Sequence, residues 1–183
     1  MEAEAARPSI PTEPKPTDIR RQVRSRFLRR LFVAALGLFL ALGALGFYGV
    51  RTTTASAAGG GYELSVRSAT VSRPGLATPW SLEVRRPGGF PDGLTVAVMS
   101  SYFDVFDENG LEPAPVEETS DGERTYWRFS SSAADTIAVS FDARIEPGVQ
   151  MTRAKGRVEV LAGPPGPTAA TVVTVDFGTW VMP

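Results

Sequence analysis

The sequence predicts an all-β fold, an immunoglobulin-like antiparallel β-sandwich of about seven strands, preceded by a single transmembrane α-helix. Three observations lead there. Leu31 to Val50 (LFVAALGLFLALGALGFYGV) is an uncharged, strongly apolar run of 20 residues. From Tyr62 onward, apolar and polar residues alternate with a period of two, the signature of half-buried strands. Gly (18) and Pro (15) are numerous for 183 residues, and they fall between short apolar runs, where turns are needed.

The chain begins with an arm, residues 1–30. Pro8, Pro11, Pro14 and Pro16 among polar residues predict disorder over its first part. Arg20, Arg21, Arg24, Arg26, Arg29 and Arg30 fall within eleven residues just before the apolar run. They suit the anionic headgroups of a membrane surface, at about 1 kcal/mol per basic residue. No aromatic or groove-reading pattern accompanies them, so nucleic acid is not an expected partner.

At about 1.5 Å per residue, the span 31–50 covers about 30 Å, the thickness of a bilayer hydrocarbon core. Only Arg51 follows it closely, so the positive-inside rule predicts a cytoplasmic N-terminus and an extracytoplasmic remainder. Charge is split accordingly: residues 1–30 carry eight bases and four acids, residues 52–183 ten bases and 16 acids. Phe47 and Tyr48 suit the outer interface. Ala34, Gly37, Ala41 and Ala44 recur at spacings of three and four and form a candidate helix-packing stripe. A cleaved export signal is the competing reading, because Ala55-Ser56-Ala57 resembles a processing site. The run is long for a signal h-region, usually about 7–15 residues, which favours an anchor.

Residues 51–61, with TTTASAAGGG from Thr52, read as a flexible linker. Residues 62–183 form the expected outer domain. Candidate strands are Tyr62–Val71, Trp80–Arg85, Leu94–Val98, Arg124–Phe129, Thr136–Glu146, Gly156–Leu161 and Ala170–Phe177. Ile137, Val139, Phe141, Ala143 and Ile145 make the clearest alternation. A parity change between Val66 and Ala69 predicts a bulge. Trp80, Trp127, Phe129, Phe141 and Phe177 are the expected heavy core residues. A partly open barrel is the alternative arrangement. Residues 100–123 do not alternate and are expected to be irregular, with one helical turn near Ser101–Phe106. Tyr102, Phe103 and Phe106 are expected to plug one end of the domain rather than form a contact patch.

The chain has no Cys and no His. Disulfides, thiolate chemistry, Cys-based zinc sites and imidazole acid–base catalysis are therefore excluded. Asp104, Asp107, Glu108, Asn109 and Gly110 make a weak calcium candidate whose spacing matches no EF-hand. Glu112, Glu117, Glu118, Asp121 and Glu123 add carboxylates with nothing to set a catalytic separation. Ser100-Ser101 and Ser130-Ser131-Ser132 lack a nucleophile elbow, and a Ser–Lys pair would have to use Lys155. No cofactor is implied, and the expectation is a protein that is not an enzyme.

The arrangement resembles bacterial envelope proteins with one anchor and one immunoglobulin-like outer domain. That resemblance concerns architecture and carries no functional residues. The functional expectation is a cell-membrane protein with two partners: the bilayer and another envelope protein. The alternatives are a ligand- or calcium-binding sensor and a cleaved, secreted β-sandwich.

Overall fold

The computed structural model describes residues 16–46 and 49–183, with the side chains of residues 16–22, Glu108 and Asn109 outside the description. The chain divides into two compact units, Met1–Gly49 and Val50–Pro183.

In the first unit, helix α1 spans Pro16–Ala44. Proline suits the first helical position because its missing N–H has no intrahelical partner there. The helix ends where Gly46 takes φ +73, a left-handed conformation that stops helices. The Gly46 N–H bonds back to the Gly43 carbonyl at 3.0 Å. Val23–Ala44 is apolar enough to cross a membrane, and none of its most apolar window is buried. The expected span Leu31–Val50 is thus corrected at its end: helix stops at Ala44. From Phe27 to Ala44 an α-helix rises about 27 Å. Arg29 and Arg30 are long enough to reach an interface from within such a span. The proline-rich start of the arm, Arg20 and Arg21 as side chains, and the Phe47–Tyr48 interface pair fall outside the described residues.

The second unit is all-β, and its strands are β1 Arg51–Gly59, β2 Tyr62–Ser72, β3 Ala77–Arg85, β4 Leu94–Met99, β5 Phe106–Glu112, β6 Glu117–Ser120, β7 Arg124–Phe129, β8 Thr136–Ile145, β9 Thr152–Ala162 and β10 Ala170–Val181. A short helix α2, Ser100–Phe103, links β4 to β5. The sheet order is β5-β8-β3-β2-β10-β9-β4-β7-β6, with β1 paired to β2. Neighbours are antiparallel except β2 and β10, which meet in parallel at Val71–Trp180 and Ser72–Val181.

The sheet curls on itself. Trp80 of β3 and Trp127 of β7 have ring centroids 6.1 Å apart, although their strands lie five places apart in the order. A flat sheet would separate those strands by about 24 Å. Inside the curl, Trp80 also meets Phe103, Phe141 and Phe177, all edge-on or tilted. Such aromatics bury the largest areas available to side chains, about 150–250 Å² each. Tyr102, Phe103 and Phe106 are buried within this cluster, as the plug reading expected.

The fold therefore confirms the all-β class and corrects the finer expectation. The seven expected strands correspond to β2, β3, β4, β7, β8, β9 and β10, but three more complete a single curled sheet in place of an immunoglobulin-like sandwich. The supposed linker is strand β1, registered on β2 from Gly59–Tyr62 to Arg51–Val71. Small side chains conceal it in sequence: Ala55 and Ala57 pack on the core, while the intervening residues face solvent. The pairing is regular from Val66 to Ala69, where a bulge was expected, and the irregularity comes just beyond, at Thr70, skipped between the pairs Thr52–Ala69 and Arg51–Val71. The segment 100–123, expected to be irregular, contains α2, β5 and β6.

Candidate functional site

A partly enclosed cluster of charged and polar side chains lies on the outer face of β7, β4 and β9. Val96, Val98, Val158 and Val160 point into the core. Alternation therefore turns Ala97, Tyr126 and Glu159 outward, and register sets Ala97 between Tyr126 and Glu159. An outward row is ordinarily solvated, but here it is covered. Ala97, Tyr126 and Leu161 form a second small core, with Ala169 packed on it. Thr95 Oγ1 ties the start of the β9–β10 connection down by donating to the Gly163 carbonyl at 2.8 Å.

Glu159 is only 9% exposed, and Arg124 Nη1 donates to its Oε2 at 3.2 Å. Thr171 Oγ1 reaches the same oxygen at 3.5 Å. A half-buried pair like this is screened less than a surface one, and removing either partner would strand the other. Arg124 also stacks on Tyr126, 5.8 Å from the ring centroid, an attraction between cation and ring face. Asp121 completes the cluster. Its Oδ1 accepts the backbone N–H groups of Arg124 at 2.7 Å and Glu123 at 3.0 Å, and its Oδ2 accepts the Tyr126 hydroxyl at 2.7 Å.

These contacts displace the titrations. The Arg124 backbone N–H, then the Tyr126 hydroxyl, holds the Asp121 carboxyl below its ordinary value. Burial, then the bond to Asp121, pushes the Tyr126 phenol up. Beside the cluster opens a groove of about 250 Å³, lined by Ala97, Met99, Glu123, Arg124, Arg157 and Glu159. Arg157 is held on the neighbouring strand by Asp176, Nε to Oδ1 at 2.7 Å. The groove thus offers two guanidinium groups and two carboxylates within one concavity. It can donate to a carboxylate or carbonyl and accept from an amide or ammonium. Binding sites for whole small molecules run to about 300–1,000 Å³, so this groove suits one or two side chains.

The residues singled out in the sequence are distributed differently. Asp104 follows α2 and Asp107 lies on β5 opposite Arg144, both exposed; the Glu108 side chain is outside the described residues. Among the described residues, no three carboxylates come together to hold a metal ion. Glu117 and Glu118 line the exposed edge strand β6, and Glu112 ends β5. Of the acidic residues of 112–123, Asp121 enters the cluster and Glu123 lines the groove. Ser100 Oγ bonds Thr125 Oγ1 at 2.9 Å, Ser132 Oγ accepts from the Ala134 N–H, and Lys155 is exposed on β9. Ala34, Gly37, Ala41 and Ala44 are all exposed on α1, as are Arg24, Arg26, Arg29 and Arg30. Arg124, Tyr126, Arg157 and Glu159 were not anticipated. In sequence, Arg157 and Glu159 are ordinary outward residues of an alternating strand.

No family model matches the chain, and no curated protein matches it. Among solved structures it is similar to one described as "AvmM Catalyzes Macrocyclization in Alchivemycin A Biosynthesis", at 9% identity and TM-score 0.38, covering 73% of this chain and 89% of that one. That structure's description is of a catalyst, and the expectation that the present protein is not an enzyme is withdrawn. A likeness this distant assigns no reaction to this chain.

Proposed function

We propose that the protein is held in a cell membrane by α1 and presents its β unit outside the cytoplasm as an interaction or accessory module of a membrane complex. The observation that carries this reading is the exposure of α1: every described side chain from Val23 to Ala41, Leu31, Phe32 and Phe39 among them, faces outward. Each large apolar side chain moved from water into lipid contributes about 1.5–3 kcal/mol, so the helix belongs in a bilayer. The arginines Arg24, Arg26, Arg29 and Arg30, N-terminal to the apolar stretch, support a cytoplasmic N-terminus.

Retention of the helix has separate support. Cleavage after Ala57 would remove Arg51–Ala57 from the nine-residue strand β1 and leave the edge of β2 bare over most of its length. On the β unit, the groove at Arg124, Arg157 and Glu159 is the surface best suited to recognise the polar side chains of a partner.

Purification from native membranes in mild detergent tests the reading. The expected result is a stoichiometric partner that is lost from the Arg157→Ala variant. Recovery of the protein alone, or a partner retained equally by the variant, would count against it. A mature N-terminus at Ala58 would overturn the anchor.

A further inference from the structure

One end of the β unit is built differently from the rest of its surface. The chain enters the unit there, since Arg51, the first residue of β1, is registered on Val71 near the end of β2. The turn after β2 and the end of β8 are laced together, Gly75 N–H to the Ile145 carbonyl at 2.9 Å and Ile145 N–H to the Leu76 carbonyl at 3.2 Å. The C-terminal segment joins them, with Met182 N–H donating to the Ser72 carbonyl at 2.9 Å. On this end three large apolar side chains are left in solvent: Leu76 is 40% exposed, Met151 70% and Trp180 39%. Elsewhere on the described β unit, the one other large apolar side chain exposed to that degree is Val116.

The polar company of this trio includes arginines. Arg153 lies over the Trp180 ring, 5.7 Å from its centroid. Arg51 and Arg73 stand at the start of β1 and just after β2. Carboxylates are present too: Asp104 follows α2, Asp107 is registered opposite Arg144 one pair in from Ile145, and Glu146 follows β8, its N–H bonded to the Val105 carbonyl. Tryptophan, with an apolar body and a polar edge, is the side chain most at home at a bilayer interface. Arginine pairs with lipid phosphate by forked hydrogen bonds.

We propose that this end, Leu76, Met151 and Trp180 with Arg51, Arg73 and Arg153, seats on the phospholipid surface, the apolar trio among the upper acyl carbons and the arginines on headgroup phosphates. The occupant is lipid because only Val50 separates Arg51 from Gly49, the end of the unit that contains the apolar helix. The seat removes the reorientational freedom of the β unit and presents the Arg124–Glu159 groove at a defined height. It rests on the reading of α1 as an anchor.

The test uses the full chain reconstituted in vesicles of phosphatidylcholine and phosphatidylglycerol with brominated acyl chains. Bromine quenches indoles that reach the bilayer, and Trp80 and Trp127 are buried in the protein core. The expected result is loss of the Trp180 share of the emission, absent in Trp180→Phe and relieved in a Leu76→Glu/Met151→Glu variant whose near-ultraviolet circular dichroism is unchanged. A chain that withstands an alkaline wash yet shows no quenching, or quenching equal in Trp180→Phe, overturns the seat and spares the anchor. A chain washed off the vesicles overturns the anchor itself.

Discussion

The Tyr102 hydroxyl donates to Thr179 Oγ1 at 2.8 Å, deep in the aromatic core, and Thr179 in turn donates to the Ala69 carbonyl at 2.6 Å. The direction follows because a carbonyl can only accept. One short chain of hydrogen bonds thus joins α2, β10 and β2, near the parallel junction where the two halves of the sheet meet. Tyr102→Phe should cost about 1 kcal/mol, the worth of one ordinary hydrogen bond. Thr179→Val should cost more, about 1–3 kcal/mol, because it strands both the buried phenol and the carbonyl. Denaturant unfolding of both variants checks the order; equal costs would refute it.

Burial pushes the Tyr102 phenol up to about 12. The neutral phenol is the form the fold prefers. Its contribution is complete below the ordinary value of 10.0 and is lost as pH rises from there toward about 12. Absorbance titration of the phenolates should show one group ionising near the upper value. Tyr102→Phe should lack that step and unfold less steeply in alkali.

Asp121 behaves in the opposite sense. Its carboxyl sits below the ordinary 3.8, so its contribution is complete above that value and disappears as pH falls through the lowered one. A carbon-detected titration of Asp121 should give an inflection below 3.8. In Asp121→Asn the Tyr126 phenol loses an anionic acceptor and should titrate closer to an ordinary tyrosine. An Asp121 inflection at or above the ordinary value would contradict the geometry.

Gly156 and Phe177 are direct partners across β9 and β10, and the Phe177 ring lies over the glycine. A Cβ at Gly156 would overlap that ring. Gly156→Ala should therefore destabilise the β unit by about 1–3 kcal/mol, the usual cost of overpacking. Combining it with Phe177→Leu should cost less than the sum of the two single changes. Additivity within error would show that the ring is free to move away.

A chain beginning at Ala58 should unfold at a lower temperature than one beginning at Val50. It lacks the β1 hydrogen bonds to β2 and the core contacts of Ala55 and Ala57. At about 1 kcal/mol per net hydrogen bond, even partial loss of the ladder is measurable by calorimetry. Identical midpoints would mean that β1 adds nothing.

Periodicity made seven strands legible because their core residues are large: Trp80, Phe141 and Val158 cannot be mistaken for solvent-facing side chains. It failed for β1, where alanine and glycine carry too little apolar area to mark a face. It failed for β5 and β6, short edge strands whose side chains are mostly charged or polar. The irregularity at Thr70 was readable only in approximate position: an extra residue must invert the alternation, and the inversion falls between Val66 and Ala69 in sequence. The site was legible only in part: Asp121 and Glu123 stood out as acidic, whereas Arg124 and Tyr126 on β7 lie 30 or more residues from Arg157 and Glu159 on β9, and the two pairs meet because both strands flank β4.

By itself the sequence determined an apolar helix of membrane length with arginines before it, and a β unit behind it. Those properties depend on local hydropathy and alternation, which neighbouring residues carry among themselves. Tertiary structure alone decided that the sheet is one curled sheet rather than two, that 51–59 is a strand, and that Glu159 is buried. Each of these depends on which distant strand supplies hydrogen bonds or covers a face, and no stretch of sequence records its partner.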